Sequence, residues 1–333
     1  MRIDYARATK RFSSKSENLP TVTTLHRGLD NIGASPEISA LLSGISLGQV
    51  PRTEEGRAIR QDFVHSGVAH LLAVSGFHTG VVAGILYFLL MSLPIGYNGH
   101  SRRGLILLGI WSFVALTGWA IPTVRAALML SFYLIGKIIS RPIRFSQVVA
   151  LSAIVQFLYD PHVILSWSFL LSYAAVISIY IFHLRILNLF GAPQQPLLRM
   201  VWSSVSITLA AQIGVLPLCL YFFGSISWSF IWLSLPTTLL ATLLIPLTLL
   251  FIVNIGIGSP LPQSLFASTL NFLGEQMLAL VKLGSNATAL QQTGQCPLWF
   301  VLLWWSSILA YALYIRLPKA LHKNPPSLLD ILT

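Results

Sequence analysis

Runs of about 20 apolar residues, separated by short polar or proline-bearing joints, fill most of this 333-residue chain. A helix of that length is what crossing a bilayer's hydrocarbon requires, and a water-soluble fold cannot bury so many of them. The runs fall near 68–92, 104–121, 122–139, 146–160, 163–183, 201–223, 227–253, 262–283 and 297–316. The fold expected is all-α, a polytopic transmembrane bundle of about nine helices. Pro236 and Pro246 in the seventh run, and Gly76, Gly80 and Gly84 in the first, predict broken or re-entrant segments. Charged residues make up 9% of the chain, where a soluble domain carries roughly 25%, which excludes most soluble enzyme folds.

The charge that remains is one-sided. Against 10 acidic residues stand 21 Lys and Arg, a net +11, so the water-exposed ends or any pore favour anions, either nucleic acid or acidic lipid headgroups. Arg102, Arg103, Arg141, Arg144, Arg185, Arg199, Arg316, Lys319 and Lys323 collect on one side of the runs; Arg52, Arg57, Arg60 and Lys282 fall on the other. The first side is read as cytoplasmic. The expected divisions are a polar, basic segment over 1–35 without a signal peptide's apolar core, an amphipathic extracytoplasmic segment over 36–66, a transmembrane domain over 67–317 and a cytoplasmic tail over 318–333. Cys219 and Cys296 offer neither a disulfide framework nor zinc spacing.

The first run opens with polar residues among apolar ones. Placed on one helix at 100° per residue, Gly76, Gly80 and Gly84 share an arc of roughly 80°, and His70, Ser75 and His78 an arc of roughly 140° opposite. The glycine face permits close helix packing. The polar face must look at protein or water rather than lipid; three such residues on one arc suggest an aqueous path, while each alone is as readily a hydrogen-bonding partner of a neighbouring helix.

The stretch Gly67-Val-Ala-His70-Leu-Leu-Ala-Val-Ser75-Gly76-Phe-His78 resembles the signature of the ComEC family of competence proteins. Shorter matches follow in order: Leu41 to Gly44 with Arg57 and Phe63, Gly118 with Arg125-Ala126, Asp160-Pro161, Phe169 to Tyr173 including Ser172, and Ala211-Gln212-Ile-Gly214-Val-Leu-Pro217 with Phe223. The resemblance covers roughly 40–250. It implies an inner-membrane channel that takes up single-stranded DNA during natural transformation, with no catalysis of its own and no cofactor or metal. It further implies a separate motor ATPase, a DNA receptor and a nuclease partner, and allows a homodimer.

This chain departs from the family's pattern at Leu170 and Thr238, where a glutamine and an asparagine are usual, so two polar contacts are lost. The family's oligonucleotide-binding and metallo-β-lactamase-like domains are expected to be lacking. The histidines at 26, 65, 70, 78, 100, 162, 183 and 322 never form a His-x-His-x-Asp-His cluster. The expectation is a bare channel unit, a fragment, or a partner of separately encoded pieces.

Arg125 is the most telling charge inside the runs. An arginine there costs at least about 2.5–3.5 kcal/mol unless it is paired or wet, and a passing phosphate would serve. Three residues beyond Pro122, it is also close enough to a helix start to snorkel outward. Arg57 and Arg60 share a helix face, as an outer basic funnel or a solvated surface helix. Asp160-Pro161 reads as a helix end, and Gln212 with Pro217 as a kinked helix whose amide rescues a freed backbone group. Trp111, Trp119, Trp202, Trp228, Trp232, Trp304 and Trp305 suit an aromatic belt, with stacking on passing bases as the other use of such rings.

A strand carrying one charge per nucleotide needs a wet, positive path with few base contacts. His70, Ser75, His78, Arg125, Ser172 and Gln212 are its expected lining. No phosphate-binding Gly-x-x-x-x-Gly-Lys loop occurs, so force must come from a partner. Two rivals remain: a secondary transporter for a small anion, expected to show paired broken helices, and an intramembrane serine hydrolase using Ser75 with His78 or His70, although Ala73 breaks the Gly-x-Ser-Gly pattern.

Overall fold

The computed structural model describes residues 20–31, 33–92, 99–141, 143–189, 195–257, 263–287, 291–294 and 296–314. The expected tail at 318–333, with Lys319 and Lys323, lies outside the described residues, as do Arg316 and residues 1–19. Among those described, the fold is essentially all-α. It comprises α1 (Pro20–Asn31), α2 (Pro36–Leu47), α3 (Glu54–His65), α4 (Gly76–Ser92), α5 (Gly99–Leu116), α6 (Ile121–Ile138), α7 (Phe145–Tyr159), α8 (Trp167–Leu187), α9 (Pro196–Phe223), α10 (Phe230–Ile257), α11 (Gln263–Ser285) and α12 (Leu298–Tyr314). Two strands, β1 (Ser225–Ser227) and β2 (Gln291–Thr293), pair antiparallel, Ile226 opposite Gln292.

Each of the nine apolar runs coincides with a helix. Four are long and apolar enough to cross a membrane: Ile121–Ile138, Trp167–Leu187, Leu198–Phe223 and Phe230–Ile257. Gly76–Ser92, Phe145–Tyr159 and Leu298–Ala312 are apolar but shorter, so a count of nine crossings is not established. One predicted break is absent: α10 runs as a continuous helix through Pro236 and Pro246. Another lies elsewhere than expected, because residues 69–71 form a short 3-10 helix and the long helix starts only at Gly76.

The chain divides into two compact units, 1–127 with 236–287 and 128–235 with 288–333. In the first, α2 is capped by Ser35, whose hydroxyl accepts from Ile38 N at 3.3 Å, with Pro36 preset for the first turn. It ends at Gly48 in the left-handed region, φ 72°. Every residue from Ile38 to Leu47 is buried. The first half of the expected 36–66 segment is thus a buried helix that carries Ser39, Ser43 and Ser46 among its apolar residues. α3 is the amphipathic part, burying Gly56, Ile59 and Phe63 and exposing Arg57 and Arg60. α11 packs on both, with Lys282 3.2 Å from Glu37 and Ser285 donating to Asp62 at 2.9 Å. Lys282 therefore lies at the same end as α3, as its grouping with Arg52, Arg57 and Arg60 requires.

In the second unit, α8 and α9 pack closely. A Cβ on Gly214 would stand 2.7 Å from Ser178 Cβ and 2.8 Å from the Ala174 carbonyl, and Ser178 Oγ donates to the Ala210 carbonyl at 2.6 Å. The small-residue seam is thus Ala174 and Ser178 against Ala210 and Gly214. At two of the three glycines expected to form a seam, Gly76 and Gly84, the surroundings are open. Nothing lies within 4 Å of a Cβ at Gly84, a Cβ at Gly76 would reach only ordinary contact with Ala126 at 3.7 Å, and α4 instead fits Leu86 against Gly109 of α5. Asp160 ends α7 as expected and accepts from His162 N at 3.0 Å.

Candidate functional site

The signature stretch begins where α3 ends. Gly67 takes a left-handed φ of 80°, and Val68 N donates back to the Phe63 carbonyl at 3.1 Å, a helix stop that favours glycine. The chain then makes the 3-10 turn at Ala69–Leu71 and runs on to Ser75 before α4 begins. It rests on α2: a Cβ at Gly44 would stand 3.0 Å from Leu72 Cδ2, and one at Gly48 2.6 Å from Val74 Cγ2. The segment Leu41 to Gly44 and the signature stretch, separate in sequence, are therefore packing partners.

His70 and Ser75 lie before α4, so the single polar helix face drawn from the sequence is corrected. The structure still gathers the same residues. His70 is exposed and lies within electrostatic range of His78. His78 is fully buried, 0% exposed, beside the carbonyls of Ile45 and Leu71. Its Nδ1 accepts from Ser75 N at 3.2 Å and lies 3.1 Å from Ser75 Oγ. Ser75 precedes the first helical residue, and His78 is three positions on. The bond from Ser75 N is one half of a capping box, with imidazole in place of the usual glutamate. Because Nδ1 accepts a backbone N–H, the ring's proton sits on Nε2. This arrangement secures the start of α4 by holding Ser75 against His78.

Arg125, one turn into α6, is 1% exposed and the largest fully buried side chain. Its guanidinium is enclosed by protein. A Cβ on Gly76 would stand 3.7 Å from that of Ala126, which sets the start of α4 against this turn of α6. Arg57 and Arg60 are exposed on α3, which leads directly into the signature stretch.

Ser172 and Gln212 belong to the second unit and are half-buried. Beside Ser172, the sequence reading missed Tyr173, whose buried hydroxyl lies 2.9 Å from Ser152 Oγ and accepts from Gln156 Nε2 at 2.8 Å. The i, i+4 spacing of Ser152 and Gln156 in an otherwise apolar helix was the available signal. Gln212 is not what rescues the backbone at Pro217; Trp304 does so, donating its indole N–H to the Ile213 carbonyl at 2.8 Å. Among the described residues no cluster of three His, Cys, Asp or Glu is placed to hold a metal.

The family model described as "Competence protein" matches residues 52–318. The chain is 34% identical to ComE operon protein 3 of Bacillus subtilis (strain 168) over 161 residues, 48% of this chain and 20% of the relative. It is 26% identical to Recombination protein 2 of Haemophilus influenzae over 264 residues, 73% of this chain and 32% of the relative. The uncharacterized protein YcaI of Escherichia coli (strain K12) is 29% identical over 252 residues, again 73% and 32%. The matched stretches span a fifth to a third of these relatives. No solved structure matches the chain.

Proposed function

The chain belongs to the competence protein family, and on that premise we propose that its membrane helices conduct single-stranded DNA across the inner membrane during natural transformation. The observation that carries this reading is the family match over residues 52–318. Two features support it. The exposed pair Arg57 and Arg60 suits the outer mouth, a place where phosphates meet fixed positive charge before the apolar region. His70, Ser75 and His78 gather just beyond that helix; Arg125, Ser172 and Gln212 are the other residues assigned to the path in this reading. In this reading the chain performs no covalent chemistry; a separate motor ATPase, a DNA receptor and a nuclease act with it, and it works alone or as a homodimer.

The test is uptake of labelled single-stranded DNA into cells that lack their own channel, by the parent chain and by Arg57→Gln/Arg60→Gln, with membrane insertion checked. The expected result is uptake by the parent, loss in the double variant, and recovery with Arg57→Lys/Arg60→Lys. Each lost phosphate contact should also flatten the salt dependence by a slope of about 0.7. Correctly inserted parent without uptake overturns the reading for this chain; uptake unchanged in the glutamine variant removes the mouth from α3.

A further inference from the structure

We propose that one end of the second unit is a binding site for the phosphate headgroup of an anionic phospholipid, held by Arg144, Arg185 and Arg199. Two contacts and the helix spacing bring these residues to one end. Phe145, next to Arg144, stacks on Tyr180 of α8 with ring centroids 4.7 Å apart. Arg185 lies five residues beyond Tyr180, about 7.5 Å along the helix. Trp202 of α9 donates its indole N–H to the Leu187 carbonyl at 2.9 Å, and Arg199 is one turn before Trp202. The exposed Lys137 and Arg141 lead into α7 at this same end.

Among its described residues, the unit has no carboxylate near Arg144, Arg185 or Arg199. Its one acidic residue among those described, Asp160, stands at the far end of α7, 16 positions from Arg144 and about 24 Å away. Arg185 is held in place, donating to the Ile181 carbonyl and lying over the Tyr311 ring at 5.4 Å, so its guanidinium is preorganised. Arg144 and Arg199 are exposed.

Lipid rather than nucleic acid is the occupant because of what surrounds the charges. Ile139, Leu189, Leu198 and Met200 are exposed apolar side chains beside the cations. A nucleic acid would leave them in water, whereas a phospholipid covers them with acyl chain while its phosphate meets the guanidinium groups. Tyr180, Trp202 and Tyr311 at the same level have the apolar body and polar tip of interfacial residues.

The full chain, purified in a neutral detergent, is titrated with phosphatidylglycerol or phosphatidylcholine and the bound lipid counted by native mass spectrometry. Phosphatidylglycerol should be retained in preference, and Arg144→Gln/Arg185→Gln/Arg199→Gln should weaken it about fivefold per arginine removed. The matched lysine triple should retain it, as should Arg52→Gln/Arg57→Gln/Arg60→Gln, which changes net charge equally elsewhere. Equal retention of the two lipids, or equal loss in the two glutamine triples, overturns the site. So does displacement of the lipid by millimolar glycerol phosphate, which would mean a soluble phosphate ligand. Oligonucleotide binding that is lost in the first glutamine triple and displaces the lipid would make nucleic acid the occupant instead.

Discussion

The indole of Trp304 caps the backbone carbonyl of Ile213, the group that Pro217, four residues on and lacking an N–H, leaves without its helical donor. A residue of α12 thus completes the hydrogen bonding of α9. In an apolar setting an unmet carbonyl is costly, so a proline can stay inside a membrane helix when a neighbour supplies the donor. Trp304→Phe keeps the ring and removes the donor. It should destabilise the protein by about 1 kcal/mol, the net worth of one hydrogen bond. Pro217→Ala restores a backbone N–H, so the Trp304→Phe loss should shrink in that background. A double-mutant cycle from reversible unfolding in detergent reads the coupling, and equal losses in both backgrounds would remove the link.

Gly214 and Gly84 predict opposite responses to the same substitution. At Gly214 a methyl group would press on the Ala174 carbonyl and Ser178 Cβ, both under 3.0 Å. Gly214→Ala should therefore cost about 1–3 kcal/mol by forcing α8 and α9 apart. Gly84→Ala meets nothing within 4 Å and should be neutral or stabilising by up to about 1 kcal/mol through helix propensity. Thermal unfolding of the two variants compares them directly; a large loss at Gly84 would show a partner outside the described chain.

The contrast also shows what the sequence could and could not disclose. Apolar runs were legible because length and composition are local properties, and each run coincides with a helix. Partner faces were not. The glycine series in α4 has the spacing of a packing seam, but spacing does not say what stands opposite, and the tight seam formed where Ala174 and Ser178 met Ala210 and Gly214. His78 was legible as a polar residue that must face protein, while its role as a helix cap required noticing that Ser75 stands three positions before it. Arg125 was legible as costly, and only the fold shows its side chain buried.

His78 should respond to substitution as a cap. Alanine removes the acceptor for Ser75 N and leaves a hole beside α2; the expected loss is about 1–3 kcal/mol. Glutamine at the third helical position can accept the same N–H, so His78→Gln should recover a good part of it. Stability is read by detergent unfolding and DNA uptake in parallel. Uptake that follows stability in both variants assigns His78 to the scaffold, whereas loss of uptake in a stable His78→Gln chain would give the imidazole a direct role in the path.

His26 ties α1 to α2 and should make that docking sensitive to acid. Its Nδ1 lies 2.7 Å from Ser39 Oγ and its Nε2 3.2 Å from Ser43 Oγ. Ser43 spends its own proton on the Ser39 carbonyl at 2.8 Å, so Nε2–H must donate to Ser43, and Nδ1 accepts from Ser39. Both ring positions are thereby used in the neutral form. Burial holds the imidazole below its ordinary value, opposed by the nearby Asp30 carboxylate. With the folded value depressed, the unfolded segment binds more protons as pH falls through about 6.5, and the docked state loses stability there. The contribution is complete above that pH. Amide exchange of residues 22–30 should therefore accelerate, relative to α3, as pH is lowered from 7.5 to 5.5 after correction for intrinsic rates. His26→Gln, which cannot titrate, should flatten the dependence; an unchanged profile would place the acid sensitivity in another group.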